Sequence, residues 1–158
     1  MSRHYNSYFD FSHALGLLGN YLNIFRFPWH VENIKNLGVG IDIEDIDRFR
    51  KLDMAEHRLF LDKIFTKNEM KFCFSKKKPA SCLAVRYAGK EAITKALFSI
   101  GKEKLDYKML EILEHKNNMP NVNVNSVESC NLQVSISLSH SRDKAIAFAV
   151  VMEANQYE

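Results

Sequence analysis

Hydrophobic and polar residues follow two different periods along this chain. In residues 37–43 every second residue is apolar, and glycines and Asp42 occupy the positions between them. Alternation with a period of two is typical of a strand with one buried face. In residues 79–100 the apolar residues recur every three or four positions, which predicts a long helix that begins at Pro79 and ends before Gly101.

The segments on either side of the long helix complete this pattern. Apolar spacing predicts helical turns from Ile46 to Phe65, and Thr66 with Glu69 has the sequence of a capping box that begins a further short helix. Strand-like segments follow the long helix at residues 107–113, 121–124, 132–138 and 145–152. One strand, then helices, then a run of strands predicts an α+β fold with a mostly antiparallel sheet packed with the long helix.

Composition narrows the class of protein. The chain has 158 residues, which suits one domain, and 46% of them are hydrophobic. The 22 Lys and Arg exceed the 19 Asp and Glu by only a formal +3, which is too little to indicate nucleic-acid binding. No apolar run approaches the length of about 20 residues that a membrane span needs, so none is predicted.

Cysteine content and the start of the chain bear on where the protein acts. Cys73, Cys82 and Cys130 lie far apart and form no CxxC pair, so the sequence suggests neither a zinc site nor a disulfide framework. A reducing compartment, the cytoplasm, is therefore expected. Polar residues interrupt the aromatic-rich start of the chain and no convincing cleavage site follows, which argues against a signal peptide. An organellar targeting segment or an added docking helix suits it better.

Three positions are candidates for chemistry on residue type alone. Asp42, between glycines at the end of the first strand, could hold a cation or simply cap the next helix. Glu91 could act chemically or merely pair with Lys95 one helical turn further on. His140 lies beside Ser139 in a hairpin-like connection, where it could bind phosphate or belong to a purely structural turn. The residues by themselves leave each choice open.

Small and basic residues are mixed in the middle of the long helix. Gly89 costs about 1 kcal/mol relative to alanine inside a helix, so unless it is merely tolerated it marks a close approach by backbone or ligand. Arg86, Lys90 and Lys95 crowd the same stretch. Basic side chains beside small ones predict a groove in which a phosphate could lie.

Several segments, taken together and in order, resemble one known family. They are residues 38–49 (GVGIDIEDIDRF), 65–69 (FTKNE), 86–97 (RYAGKEAITKAL) and 134–141 (VSISLSHS). They are similar to the opening strand and helix, the Thr-x-x-Glu segment, the Lys-Glu-Ala signature helix and the closing strand of 4′-phosphopantetheinyl transferases of the holo-acyl-carrier-protein synthase type. The matches extend over most of the chain, about residues 37–152.

The resemblance implies a magnesium-dependent enzyme that moves 4′-phosphopantetheine from coenzyme A to a serine of an apo acyl carrier protein and releases 3′,5′-ADP. The family's metal ligands correspond to Asp42 and Glu91, which would hold Mg²⁺ on the coenzyme A pyrophosphate while Lys95 assists the transfer. Either Glu91 or a metal-bound water would be the base. The implied ligands of the phosphates and adenosine are Arg86, Lys90, Lys95, Ser139 and His140.

The same resemblance bears on partners and assembly. Glu44, two residues after Asp42, resembles a further metal ligand of the larger surfactin-type transferases, but a helix that began at Glu44 would turn its side chain away. Arg48 matches a family position that meets acidic residues of the carrier protein, which suits electrostatic steering by a basic excess. The larger enzymes are pseudo-dimers, whereas the short type is a trimer with active sites between subunits. One set of motifs therefore implies a homotrimer.

The resemblance also divides the chain. It implies a transferase domain at residues 37–153, preceded by an extension at 1–36 of unknown role and followed by a tail at 154–158. The chain departs from the family where Gly89 replaces an alanine, where residues 118–120 (NMP) replace a Gly-Lys-Pro turn, and in the extension, which matches nothing in the short family.

Two other classes of function compete with the enzyme. A catalytically silent member of the fold would bind carrier proteins or assemble a complex without reacting. The chain keeps the residues that the reaction needs, Asp42, Glu91, Lys95 and His140, which argues against this alternative. A nucleic-acid-binding domain would interleave basic and aromatic residues as a stacking surface, and this sequence does not.

Overall fold

The computed structural model describes residues 34–114, 119–125 and 131–155. In chain order the elements are β1 (Ile34–Asp45), α1 (Asp47–Arg50), α2 (Arg58–Ile64), α3 (Lys67–Phe74), α4 (Pro79–Ser99), a 3-10 turn (Tyr107–Met109), β2 (Leu110–Glu114), β3 (Pro120–Val124), β4 (Leu132–His140) and β5 (Lys144–Ala154). This is the α+β order predicted from the sequence. Gly101, with φ of 73°, follows the long helix as expected for a C-terminal cap.

The strands pair antiparallel and form two sheets. A three-stranded sheet has the order β1-β5-β4, and β2 pairs with β3 in a two-stranded sheet. Helix α4 lies against the first sheet, where the inward residues of the central strand β5 are small and buried: Ala145, Ala147, Ala149 and Val151. The register places Asp42 opposite Ala147 and Ile41 opposite Phe148. The inner face of β1 therefore meets α4, and its outer face continues that of β5.

Two glycines allow β1 to lie directly on the backbone of α4. A Cβ atom at Gly38 would collide with the carbonyl oxygen of Ala96, and one at Gly40 would collide with that of Ala92 and lie 2.7 Å from the amide nitrogen of Ala96. Only glycine leaves room for this approach. The period of two thus correctly predicted a strand with one buried face, and the buried face is the one that carries the glycines.

The outer face of β1 is apolar and exposed. Leu37, Val39, Ile41 and Ile43 are between 54% and 61% exposed. On β5, Ile146 and Phe148 extend the same face, since they pair with Ile43 and Ile41. A contiguous apolar patch of this kind marks an interaction surface in a folded protein.

A close approach to Gly89 was predicted, and hydrophobic side chains of the core make it. A Cβ there would lie 2.7 Å from Cδ1 of Ile112 on β2 and 2.9 Å from Cδ1 of Ile136 on β4. The glycine therefore lets the two sheets pack against the middle of α4. The space beside it belongs to the hydrophobic core, so the alternative of a close ligand is not needed.

The prediction of no disulfide was wrong for one pair of cysteines. Cys73 on α3 and Cys82 on α4 are joined, with Cα atoms 5.3 Å apart. The short connection that contains Lys76–Lys78 reverses the chain and brings the two helices side by side. A spacing of nine residues matches no motif, so sequence reasoning had no signal for this contact. Cys130 lies outside the described residues.

Several sequence-based expectations concern residues that the structure does not describe. Most of the extension 1–36, part of the turn at 117–120 and the end of the tail at 154–158 lie outside the described ranges. The division into extension, domain and tail stays a prediction. Among the helices of the described ranges, none has the length and apolar character needed to cross a membrane.

Substitution of Gly40 tests the contact between β1 and α4. Gly40→Ala is expected to lower the free energy of unfolding by about 3 kcal/mol, because its methyl group meets backbone rather than a movable side chain. Urea denaturation measures the loss. Gly101→Ala is the matched control: nothing lies within 4 Å of its Cβ, so only the cost of its positive φ, about 1 kcal/mol, is expected. Equal stability of Gly40→Ala and the wild-type protein would contradict the contact.

Candidate active site

Asp42 lies on the inner face of β1 with one carboxylate oxygen left unpaired. Its Oδ1 accepts a hydrogen bond of 2.9 Å from Nζ of Lys95, which also donates to the carbonyl oxygen of Ile41 at 3.1 Å. Its Oδ2 is buried and has no hydrogen-bond partner among the described residues. A buried carboxylate oxygen without a partner is costly, so this atom is a candidate ligand for a cation.

Glu91 reaches the same place from α4. It lies one helical turn before Lys95, so the two side chains share a face of the helix. The hydrogen bond that Lys95 donates to Asp42 raises the pKa of Lys95, and the charges of Asp42, Glu91 and Glu44 raise it further, so its ammonium stays protonated. The hydroxyl of Tyr107 donates a hydrogen bond to Oε1 of Glu91.

Glu44 is a further carboxylate near Asp42 and Glu91, whose charges act on it. Strand β1 continues to Asp45, so Glu44 keeps the phase of Asp42 and points to the same face. Burial raises the pKa of Glu44, the neighbouring charges of Asp42 and Glu91 add to the rise, and its ion pair with Arg48 opposes it. The alternative in which a helix starting at Glu44 turned the side chain away is excluded.

The donor set fits a hard divalent cation. Mg²⁺ prefers oxygen ligands and is commonly held by one or two carboxylates together with phosphate and water. Asp42 offers an unpaired buried oxygen, and Glu91 lies beside it. Within the described ranges no three His, Cys, Asp or Glu side chains gather closely enough to form a complete metal site. The described residues therefore offer two carboxylates rather than a complete metal site made of protein ligands alone.

Lys90, a predicted phosphate ligand, does not face this site. Its side chain is 0% exposed and forms an ion pair of 2.7 Å with Glu69. The same Nζ donates to the carbonyl oxygens of Ile64 at 2.8 Å and Tyr107 at 2.7 Å. Burial lowers the pKa of Lys90, and the charge of Glu69 opposes that shift. All three donors of the ammonium are used, so the expectation of phosphate binding is corrected to a structural role.

Arg86 occupies the same buried face one turn earlier. Its Nε donates to the carbonyl oxygen of Ile112 at 2.9 Å, and its Nη1 contacts the carbonyl oxygen and Sγ of Cys82. The guanidinium lies 4.6 Å from the ring centre of Phe72. Protein contacts thus hold Arg86 in place, and the residue is only 3% exposed.

Basic residues surround cavities at the start of α4. One cavity of about 350 Å³ is lined by the basic residues Lys76, Lys77, Lys78, Arg86 and His140, together with Glu114. A neighbouring cavity of about 160 Å³ is lined by Arg86, Ser139 and His140. Neither lining includes Asp42, Glu91 or Lys95. Of the predicted phosphate ligands, therefore, Arg86, Ser139 and His140 line these cavities, Lys95 lies with Asp42, and Lys90 belongs to neither group.

Ser139 and His140 lie at the end of a strand rather than in a turn. Strand β4 continues through His140, and only residues 141–143 connect it to β5. His140 pairs with Ala145, which pairs in turn with Glu44 across the sheet. Both residues are exposed, and Nδ1 of His140 lies 3.2 Å from the carbonyl oxygen of Ser141. Sequence reasoning placed the turn too early because serine and histidine are poor strand signals.

Comparison with known proteins defines the class. Residues 38–150 match the model of the 4′-phosphopantetheinyl transferase superfamily. The match covers more than half of the chain, and the chain belongs to this superfamily.

The similar proteins identify the type within the superfamily. A holo-[acyl-carrier-protein] synthase of Chlamydia trachomatis is 45% identical over 117 residues, which cover 72% of this chain and 97% of that protein. The holo-[acyl-carrier-protein] synthase of Helicobacter pylori, solved in complex with coenzyme A, has 32% identity and a TM-score of 0.61 over 72% of this chain and 98% of its own. The corresponding enzyme of Bacillus anthracis, in complex with coenzyme A (3′,5′-ADP), has 25% identity and a TM-score of 0.60 over 74% of this chain and 96% of its own. The resemblance to the holo-acyl-carrier-protein synthase type is confirmed.

Substitution of Lys90 distinguishes its structural role from phosphate binding. Lys90→Met is expected to lower the free energy of unfolding by about 3–5 kcal/mol, because it leaves the Glu69 carboxylate buried without a counter-charge. Urea denaturation measures the change. The double variant Lys90→Met, Glu69→Gln is expected to regain part of the loss, since the unpaired Glu69 carboxylate is removed. A stable Lys90→Met protein that binds coenzyme A more weakly would restore the phosphate-binding interpretation.

Proposed function

We propose that this chain transfers 4′-phosphopantetheine from coenzyme A to a serine of an apo acyl carrier protein, with 3′,5′-ADP as the leaving group. The observation that carries this proposal is the cluster of Asp42, Glu91 and Lys95 between β1 and α4, with its unpaired carboxylate oxygen. These residues stand at the positions of the family's metal-binding and signature motifs. The holo-[acyl-carrier-protein] synthase names of the relatives support the reaction.

Asp42 and Glu91 are the proposed ligands of Mg²⁺. Bound there, Mg²⁺ would neutralise negative charge on the coenzyme A pyrophosphate. Lys95 keeps its positive charge beside the two carboxylates and is about half exposed, so it can also meet a phosphate oxygen. Glu91 is a protein group in the cluster that can accept the proton of the attacking serine. Glu44 is paired with Arg48 and is proposed to support the cluster rather than complete it.

The basic cavity at the start of α4 is the proposed site for the remaining phosphate and the adenosine of coenzyme A. Lys76–Lys78, Arg86 and His140 converge there, and phosphate accepts several charge-assisted hydrogen bonds at once. Ser139 lines the adjoining cavity with the same arginine and histidine. Because neither cavity is lined by Asp42 or Glu91, we propose that the complete site forms between neighbouring subunits.

The apolar outer face of the three-stranded sheet is the proposed subunit interface. Four residues of β1 and two of β5 present large apolar side chains to solvent on this face. The family relationship favours a closed ring of three, in which each subunit uses two different parts of its surface to meet its two neighbours. This arrangement would remove the patch from water.

Arg48 is the proposed contact for the carrier protein. It follows β1 on α1, and more than half of its side chain is exposed. Its guanidinium pairs with Glu44 and lies 5.7 Å from the ring centre of Tyr87. The arginine is therefore held at the border between the carboxylate cluster and the surface, where an acidic partner can meet it.

Intact-mass spectrometry of an apo acyl carrier protein tests the reaction. With wild-type protein, coenzyme A and Mg²⁺, the carrier is expected to gain one phosphopantetheine. Asp42→Ala and Glu91→Ala are expected to lower the rate at least about 100-fold, since each removes a proposed metal ligand. Glu103→Ala, which removes an exposed carboxylate outside the cluster, is the matched control and keeps the wild-type rate. No transfer to fatty-acid, polyketide or peptide carriers would favour the silent binding protein.

Sedimentation of a charged variant tests the interface. The wild-type protein is expected to have three times the mass of one chain, and Phe148→Glu is expected to dissociate it by burying a charge in the apolar contact. Leu59→Glu is the matched control, because Leu59 is 91% exposed on α2 and lies outside the sheet. A monomeric wild-type protein, or a Phe148→Glu variant of unchanged mass, would contradict the proposal.

A further inference from the structure

Tyr107 contacts the carboxylate cluster but belongs to none of the motifs in the sequence. It begins the 3-10 turn before β2, and its hydroxyl donates a hydrogen bond to Oε1 of Glu91. We infer that Tyr107 is a positioning residue, which orients the Glu91 carboxylate for the divalent cation. This inference rests on the proposed function of Glu91 as a metal ligand.

The backbone of Tyr107 is anchored from the core. The carbonyl oxygen of Tyr107 accepts a hydrogen bond of 2.7 Å from Nζ of Lys90. That ammonium is buried and is held in turn by Glu69 and by the carbonyl oxygen of Ile64. Lys90, the residue before Glu91, therefore affects the position of the Glu91 carboxylate through Tyr107. The buried ion pair fixes the start of the turn, and the turn places the tyrosine.

The ring of Tyr107 is also held in place. It packs against Tyr87 with ring centres 6.0 Å apart, and Tyr87 packs in turn against Phe49 at 5.6 Å. Tyr87 lies one turn before Glu91 on the same stripe of α4. Ring and backbone contacts together leave the hydroxyl little freedom to leave Glu91.

Lys104 sets the direction of the hydrogen bond. Its Nζ donates to the hydroxyl oxygen of Tyr107 at 2.8 Å and lies 4.0 Å from the centre of the ring. An ammonium has no acceptor, so the hydroxyl oxygen accepts from Lys104 and its own proton points to Glu91. Each hydrogen bond in such a chain polarises the next. The chain from Lys104 through Tyr107 thus presents a strong donor to one oxygen of the carboxylate.

The hydrogen bond has a definite consequence for cation binding. A ligating carboxylate that is held through one oxygen has the direction of its other oxygen fixed, and loss of such an outer contact typically weakens metal binding about 10- to 100-fold. Phenylalanine would keep the ring contacts of Tyr107, so the inference concerns only the hydroxyl. Its removal should change cation affinity without unpacking the turn.

Titration with Mn²⁺, followed by the electron paramagnetic resonance signal of the free ion in the presence of coenzyme A, tests the inference on the full chain. Tyr107→Phe is expected to weaken Mn²⁺ binding about 10- to 100-fold at an unchanged melting temperature. Saturating Mg²⁺ should restore its rate of transfer, because the reacting groups are intact. Lys104→Met should weaken binding less. Lys108→Met removes an exposed lysine of the same turn and should have no effect.

The outcomes separate this inference from the proposed function. If Glu91→Ala loses Mn²⁺ affinity while Tyr107→Phe binds as the wild-type protein does, Tyr107 does not position the ligand and the inference is overturned. If Glu91→Ala binds as the wild-type protein does, Glu91 is not a ligand, and both the metal assignment and the inference fail. If Tyr107→Phe is destabilised, the Lys104→Met variant decides, since its exposed side chain can be removed without affecting the core. Wild-type affinity in that variant overturns the inference.

Discussion

The candidate active-site cluster depends on the direct contact between the backbones of β1 and α4. Gly38 and Gly40 have no side chains to separate strand from helix, so the following inward residue, Asp42, is brought within hydrogen-bond distance of Lys95. Side chains at the two glycines would push the strand outward and carry the carboxylate away from Glu91. The geometry of the site is therefore set by two residues that take no part in its chemistry.

Helix α4 performs two tasks on two of its faces. Arg86, Lys90 and Thr94 lie on a buried face, where Glu69 and two carbonyl oxygens take all the donors of Lys90, and a carbonyl oxygen and a sulfur atom hold Arg86. Glu91 and Lys95 lie on the neighbouring face beside β1. Because successive helical residues are rotated by about 100°, Lys90 points into the core while the next residue, Glu91, lies on the face beside β1. The buried ion pair of Lys90 and Glu69 stabilises the core around the helix. Lys90 also holds the backbone of Tyr107, whose hydroxyl donates a hydrogen bond to the partly exposed carboxylate of Glu91.

The proposed subunit interface would account for the exposed apolar sheet face of a single chain. The side chains of β1 and β5 on that face are large, apolar and exposed, and neither basic cavity is lined by Asp42 or Glu91. Assembly through that face would cover the apolar side chains.

The sequence by itself determined the local elements, the family and the chemical candidates. The capping box of Thr66 and Glu69, the bounds of α4 and the alternation in β1 depend on neighbours in the chain, and the structure confirms them. The tertiary structure decided which face of each element is buried. It placed the glycine face of β1 inside, turned Lys90 into the core, and joined Cys73 to Cys82. It also brought Tyr107 to Glu91. These outcomes depend on contacts between segments that are distant in sequence or on different helices, and periodicity along one segment carries no information about its partner.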